Sequence, residues 1–189
     1  MEKSEVGGYY KMKEIFEQLE LKLKNSIFNR ASDIIKALLE FLHKEKFLLQ
    51  NDINERALTH KLALYLQNYF HDYDVDCEYN RMMKNNEYIK KTLNLPADEG
   101  IIISDTTQKT VYPDIIIHRR GNNDNNLLVI EVKKSVNVNE NERNFDFQKL
   151  KAFTEQLRYN LGLYLEFNEN GISDFKLFEN GEKVGEYDG

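Results

Sequence analysis

The chain has 189 residues, 41% hydrophobic and 12% aromatic, enough to bury one sizeable core and short enough to favour one domain with an extension. Residues 1–10 carry Glu2, Lys3 and Glu5 where a secretory signal would be apolar, and no segment is long and apolar enough to span a bilayer. The single cysteine, Cys77, excludes an internal disulfide and a zinc cluster, so a cytoplasmic protein with no membrane association is expected.

The formal net charge of −6 argues against gripping polyanions by bulk charge alone. Local charge departs from that sum. Arg81, Lys84, Lys90 and Lys91 stand against Glu87 alone, and Arg119, Arg120, Lys133 and Lys134 form a second basic group. Taken by itself, each reads as a solvated face.

In chain order, residues 9–25 and 31–50 read as helices, because Ile34, Ile35, Leu38, Leu39, Leu42 and Leu49 recur near the spacing that turns one face inward. They make an N-terminal helical extension, residues 1–50, with the main domain at residues 51–189. Asp52 reads as an N-cap with Glu55 three residues on, and Leu58, Leu62, Leu66 and Tyr69 continue a third helix to about Phe70. Val75, Cys77 and Tyr79 then alternate with Asp76, Glu78 and Asn80 as in a half-buried strand. A polar stretch runs to Gly100, with a short strand expected at residues 101–103 and prolines 96 and 113 bracketing the irregular region.

Two apolar runs follow, residues 114–118 (DIIIH) and 127–134 (LLVIEVKK), separated by the turn-forming residues 121–126. Beyond them, Phe147, Leu150, Phe153, Thr154 and Leu157 mark an amphipathic helix, and residues 161–167 and 175–178 read as closing strands. The expected order is helix, three or four antiparallel strands, helix, two strands.

A hairpin centred between Asn122 and Asn123 sets residue 116 opposite 129 and Asp114 opposite Glu131. Directly opposed residues share a face with Cβ atoms about 4.5–5.5 Å apart, close enough for two carboxylates to hold one cation. Lys133, two residues past Glu131, falls on that same face. The surrounding isoleucines, leucine and valine make both faces of the hairpin apolar, so acids at its end need a reason. A divalent ion removes their repulsion and offsets their desolvation, and oxygen ligands of this kind suit magnesium or manganese rather than zinc. The alternative is a frayed, solvated strand end where charge costs nothing.

Pro113 and Asp114, then sixteen residues, then Glu131, Val132 and Lys133 resemble the signature of the PD-(D/E)XK nuclease superfamily. The stretches EYNR (78–81), PDIIIHRRG (113–121) and DFQKL (146–150) are similar to a bacterial branch of it. The resemblance spans residues 51 to about 178 and leaves residues 1–50 outside. It implies an α/β fold of the α+β type, with a restriction-endonuclease-like αβββαβ core whose mixed central sheet is flanked by helices. It also implies a magnesium- or manganese-dependent nuclease cutting phosphodiester bonds, with DNA the first expectation. In such a site Asp114 and Glu131 bind the metal, the Val132 carbonyl is a further ligand, and Lys133 orients or activates the attacking water.

The resemblance also brings in Glu55, since family members often carry a glutamate on this first helix that reaches the metal; a capping-box role explains the same residue without one. Lys149 stands where relatives place a lysine or glutamine near the phosphate, with a solvated helix face as its alternative. Arg81 and Arg119 are candidate substrate contacts, and Glu78 and Arg81 could equally form an ion pair. His118 shares the face of Asp114 further toward the loop and reads as packed or hydrogen-bonded rather than catalytic. Two other readings stand beside the nuclease: a catalytically inactive module of the same fold binding nucleic acid or protein, and a homodimer or partner complex formed through the N-terminal helices.

Overall fold

The computed structural model describes residues 2–51, 53–85, 87–95, 108–136 and 138–184. The readings placed on Asp52, on Pro96 and on residues 101–103 lie outside them. Four helices come first: α1 (Glu2–Asn25), α2 (Ala31–Lys44), α3 (Lys46–Gln50) and α4 (Glu55–Gln67). Then come β1 (Asp74–Cys77), β2 (Arg81–Lys84), β3 (Glu87–Lys90), β4 (Thr92–Asn94), β5 (Gln108–Thr110), β6 (Ile115–His118) and β7 (Leu128–Lys134). Helix α5 (Glu140–Gln156) follows, and β8 (Leu161–Asn168), β9 (Gly171–Glu179) and β10 (Glu182–Lys183) close the fold.

Six strands form one mixed sheet in the order β1-β6-β7-β8-β9-β10. Strand β6 runs antiparallel to both β1 and β7, β8 runs parallel to β7 after the crossover through α5, β9 returns antiparallel to β8, and β10 antiparallel to β9. The hairpin register is the one its turn residues imply, with Ile116 opposite Val129 and Ile115 opposite Ile130.

Helices cover both faces of this sheet. On one side Leu58, Leu62 and Leu66 of α4 join Ile115, Ile117, Leu128, Ile130 and Val132. Phe16, Leu19, Ile34, Leu38 and Phe41 belong to the same core, so the N-terminal helices and the sheet bury one continuous apolar body. On the other side Ile116, Val129 and Tyr164 pack against Leu150 and Phe153 of α5. Helix α5 comes close because Gly162 has no side chain: a Cβ there would meet Leu150, Thr154 and Phe178, each at 3.3 Å.

Three readings need correction. The stretch after β1 is not merely polar, since β2 and β3 pair as a hairpin and β4 pairs with β5. These strands are three or four residues long and mostly half-exposed, so they lack the alternation that marks a longer strand. The alternation read in β1 is not clean either, because Cys77 is exposed while the carboxylate of Asp76 is largely buried, bonding His118 and Arg120. Finally, the N-cap of α4 is Asn54, whose side-chain oxygen accepts from the Ala57 N–H at 2.9 Å. Glu55 is therefore the first helical residue and is not spent on a capping box.

Candidate active site

Strand alternation carries Glu131 and Lys133 to the α5 side of the sheet, and α5 presents Asp146 and Lys149, three residues apart, to the same place. Glu131 is 1% exposed, and its Oε2 accepts from Lys149 Nζ at 2.6 Å. Its Oε1 is buried with no hydrogen-bond partner. Lys149 Nζ also reaches Asp146 Oδ1 at 3.1 Å. Lys133 Nζ lies 3.1 Å from Glu55 Oε1 and 3.3 Å from Asp146 Oδ2, the latter contact being an ion pair without hydrogen-bond geometry. Glu55 reaches over from the start of α4, where its second oxygen accepts the Lys134 N–H at 3.3 Å.

Asp114 sits one residue before β6, and its Oδ2 accepts the Val132 N–H at 2.8 Å. That bond fixes the carboxylate against the strand carrying Glu131 and Lys133. With Glu55, Cys77 and His60, Asp114 also lines a cleft of about 200 Å³ between α4 and the start of the hairpin. A larger cleft of about 390 Å³, lined by Leu49, Leu58, Lys134 and Phe167, contains none of these acids.

Electrostatics follow from this packing. Burial pushes Glu131 well above the usual carboxylate range, with Lys149 opposing and the charges of Asp114 and Asp146 adding to the rise. Burial likewise raises Asp114, against the Val132 N–H and the two lysines. Burial acts to lower both lysines, but Asp146 and Glu55 outweigh it at Lys133, and Glu131 and Asp146 outweigh it at Lys149, so both end raised. Two firmly protonated ammonium groups thus stand among four carboxylates. Among the described residues, no three His, Cys, Asp or Glu side chains gather closely enough to hold a metal ion; the lysine heads contact Glu55, Glu131 and Asp146 instead.

The solvated strand end is overturned for Glu131, and the solvated helix face for Lys149, whose side chain is only 12% exposed. Asp114, Glu131, Lys133, Glu55 and Lys149 share one neighbourhood. Arg119 does not join it. Arg81 is exposed on β2, and Arg119 lies at the loop end of β6, stacked over Tyr73 at 5.3 Å and roughly 16 Å of strand away from Asp114. Glu78 pairs with Arg56 at 3.1 Å rather than with Arg81. His118 is buried, 3.0 Å from Asp76, in keeping with a packed, hydrogen-bonded role.

Asp146 is the residue that sequence reasoning missed. Its signal was present, an acid three residues before Lys149 on the helix that must cover the sheet. Lys91 was missed as well: grouped with a solvated basic face, it is 2% exposed and donates to the Tyr159 hydroxyl at 2.8 Å. Comparison of the chain with protein-family models, with curated proteins and with solved structures yields no match, so the reading of this site rests on its own residues.

Proposed function

We propose that this chain is a metal-dependent phosphodiesterase acting on nucleic acid, DNA in the first place, of the PD-(D/E)XK type that its motif resembles. One observation carries the reading: an acid pair, Glu131 on β7 and Asp114 just before β6, with Lys133 nearby and one Glu131 oxygen buried and unpartnered. An orphaned buried carboxylate oxygen is costly unless something positive meets it. The succession α4, β1, β6, β7, α5, β8, with β7 parallel to β8, is compatible with the αβββαβ core and supports the same reading.

The oxygen donors suit magnesium or manganese in kind, although no three acids among the described residues gather around one point in the present arrangement. The carboxyl groups of Glu55, Glu131 and Asp146 face the ammonium groups of Lys133 and Lys149 with Asp114 close by, and a divalent cation would favour the ionised forms of Glu131 and Asp114, which burial opposes. Asp114 and Glu131 would hold it, with the Val132 carbonyl and Glu55 as further oxygen donors. When bound, such an ion lowers the pKa of coordinated water and offsets charge developing on the phosphoryl oxygens.

The chain's own groups do the rest. The Val132 N–H orients Asp114, and the sheet holds Glu131 in line. Lys133, held protonated by Asp146 and Glu55, acts through its positive charge, stabilising the attacked phosphate and positioning water rather than accepting a proton. Lys149 supplies a second cation on the helix side of the phosphate. The acidic overall balance favours single-stranded or branched substrates, or a partner that adds affinity, over unaided gripping of long duplex. No helix among the described residues is long and apolar enough to cross a membrane.

The test is cleavage of duplex, single-stranded and branched DNA with magnesium, alongside Glu131→Gln and Lys133→Ala. Each variant is expected to lose roughly 10²–10³ in rate or more. Cleavage that survives both substitutions removes the assignment. A non-catalytic nucleic-acid or protein-binding module has one observation in its favour, the internal pairing of Glu131 with Lys149. It predicts nucleic-acid or protein binding with no cleavage and no magnesium requirement.

A further inference from the structure

Lys149 is placed as few surface-helix lysines are. Its side chain is nearly buried, its Nζ lies 2.6 Å from Glu131 Oε2 and 3.1 Å from Asp146 Oδ1, and it touches the acid that the proposed metal most needs. The oxygen it leaves uncovered, Glu131 Oε1, finds no other donor. Lys149 shares its one ammonium between Glu131 and Asp146, while Lys133 serves Glu55 and Asp146.

We infer that Lys149 is an internal cation that keeps the metal's place: a divalent ion is held by Glu131 only when the Lys149 ammonium leaves it, and a substrate phosphate receives that ammonium. This rests on the reading of the site as a divalent-metal centre. One contact in the structure and two general properties of lysine support the exchange. Lysine has a long flexible stem, so its head can move a few ångströms without any change in α5. Asp146, on the same helix face, remains as an anchor when Glu131 is released. An ammonium expelled from a buried carboxylate needs a new anion, and a phosphodiester drawn to the metal and Lys133 would offer one beside it.

The consequence is thermodynamic coupling. Metal alone must displace Lys149 without compensation and binds weakly; metal with phosphodiester binds tightly, and by reciprocity the metal raises nucleic-acid affinity by the same factor. The site would stay shut against free cations and open on its substrate.

The experiment titrates manganese into the full chain, followed by calorimetry and electron paramagnetic resonance, with and without a phosphorothioate oligonucleotide that resists cleavage. Wild type is compared with Lys149→Met, Lys149→Gln and Lys149→Arg. Without oligonucleotide, the Met and Gln variants are expected to bind manganese about tenfold more tightly than wild type, while Arg, which keeps the charge, stays near wild type. The oligonucleotide should tighten manganese binding by about tenfold in wild type and much less in the Met and Gln variants. Melting temperature gives a second readout: metal-free Lys149→Met should melt below wild type, its carboxylates having lost their cation, and manganese should restore it.

Folded Met and Gln variants that bind manganese no better than wild type overturn the exchange, and a wild type that still cleaves DNA with magnesium leaves the nuclease reading standing. If no variant binds manganese and wild type does not cleave, both fall together.

Discussion

Lys91 offers the sharpest test of the structure, because its cost can be worked out. It sits between β3 and β4, with its ammonium 5.2 Å from the Tyr79 ring centre, 5.4 Å from that of Tyr159, and bonded to the Tyr159 hydroxyl. Burial is the dominant influence, opposed only by the charge of Asp76, and it lowers Lys91 from 10.5 to about 7. The unfolded chain therefore binds one more proton than the folded chain between pH 7 and 10.5, and stability contributed by this group rises with pH across that window. Below pH 7 the folded protein carries the whole penalty, about 5 kcal/mol for a shift of this size.

Lys91→Met keeps the stem and places a sulfur between the rings, but it leaves the Tyr159 hydroxyl without its amine, at about 1–3 kcal/mol. The variant should therefore be more stable than wild type by about 2–4 kcal/mol at pH 7 and below, and less stable near pH 10.5. Urea unfolding at a series of pH values, followed by far-ultraviolet circular dichroism because the chain has no tryptophan, measures that difference. A wild-type-minus-variant difference that stays flat over the window would refute the strained, buried ammonium.

Other perturbations probe what positions the site. Gly162→Ala inserts a methyl group between α5 and β9 at 3.3 Å from its neighbours; it should cost about 1–3 kcal/mol in urea unfolding and, by pushing α5 outward, lower cleavage as well. Asn54→Ala removes the cap of α4 and should cost about 1 kcal/mol, with Glu55 less firmly held; an unchanged midpoint would deny the cap its role. Glu131, raised by burial, contributes stability that is fully present below the ordinary carboxylate value and is lost as pH rises through its raised value. Metal-free wild type should thus weaken over that range, Glu131→Gln should lack this component, and magnesium should restore wild type but not the variant.

Much of the site is local and so could be read in the sequence. The turn residues 121–126 set the hairpin register, and alternation alone puts Glu131 and Lys133 on one face. The apolar runs either side fix both strands inside the sheet, and the spacing of Leu58, Leu62 and Leu66 fixes the helix carrying Glu55. Periods of two and of 3.6 residues are properties of the backbone, which is why these positions follow from order alone.

What the tertiary structure decided is which charges meet and how far they are from water. Lys149 on α5 and Lys91 between β3 and β4 are both lysines drawn out of water, yet one lies among carboxylates and the other among tyrosine rings, since α5 closes on β8 over Gly162 and the β3–β4 junction lies beside Tyr159. Glu55 partners Lys133 rather than serving in a capping box, since Asn54 takes the cap, and Arg119 lies at the far end of the strand from Asp114. Burial and ion pairing depend on segments distant in the chain arriving at one point, and no local period of residues encodes that meeting.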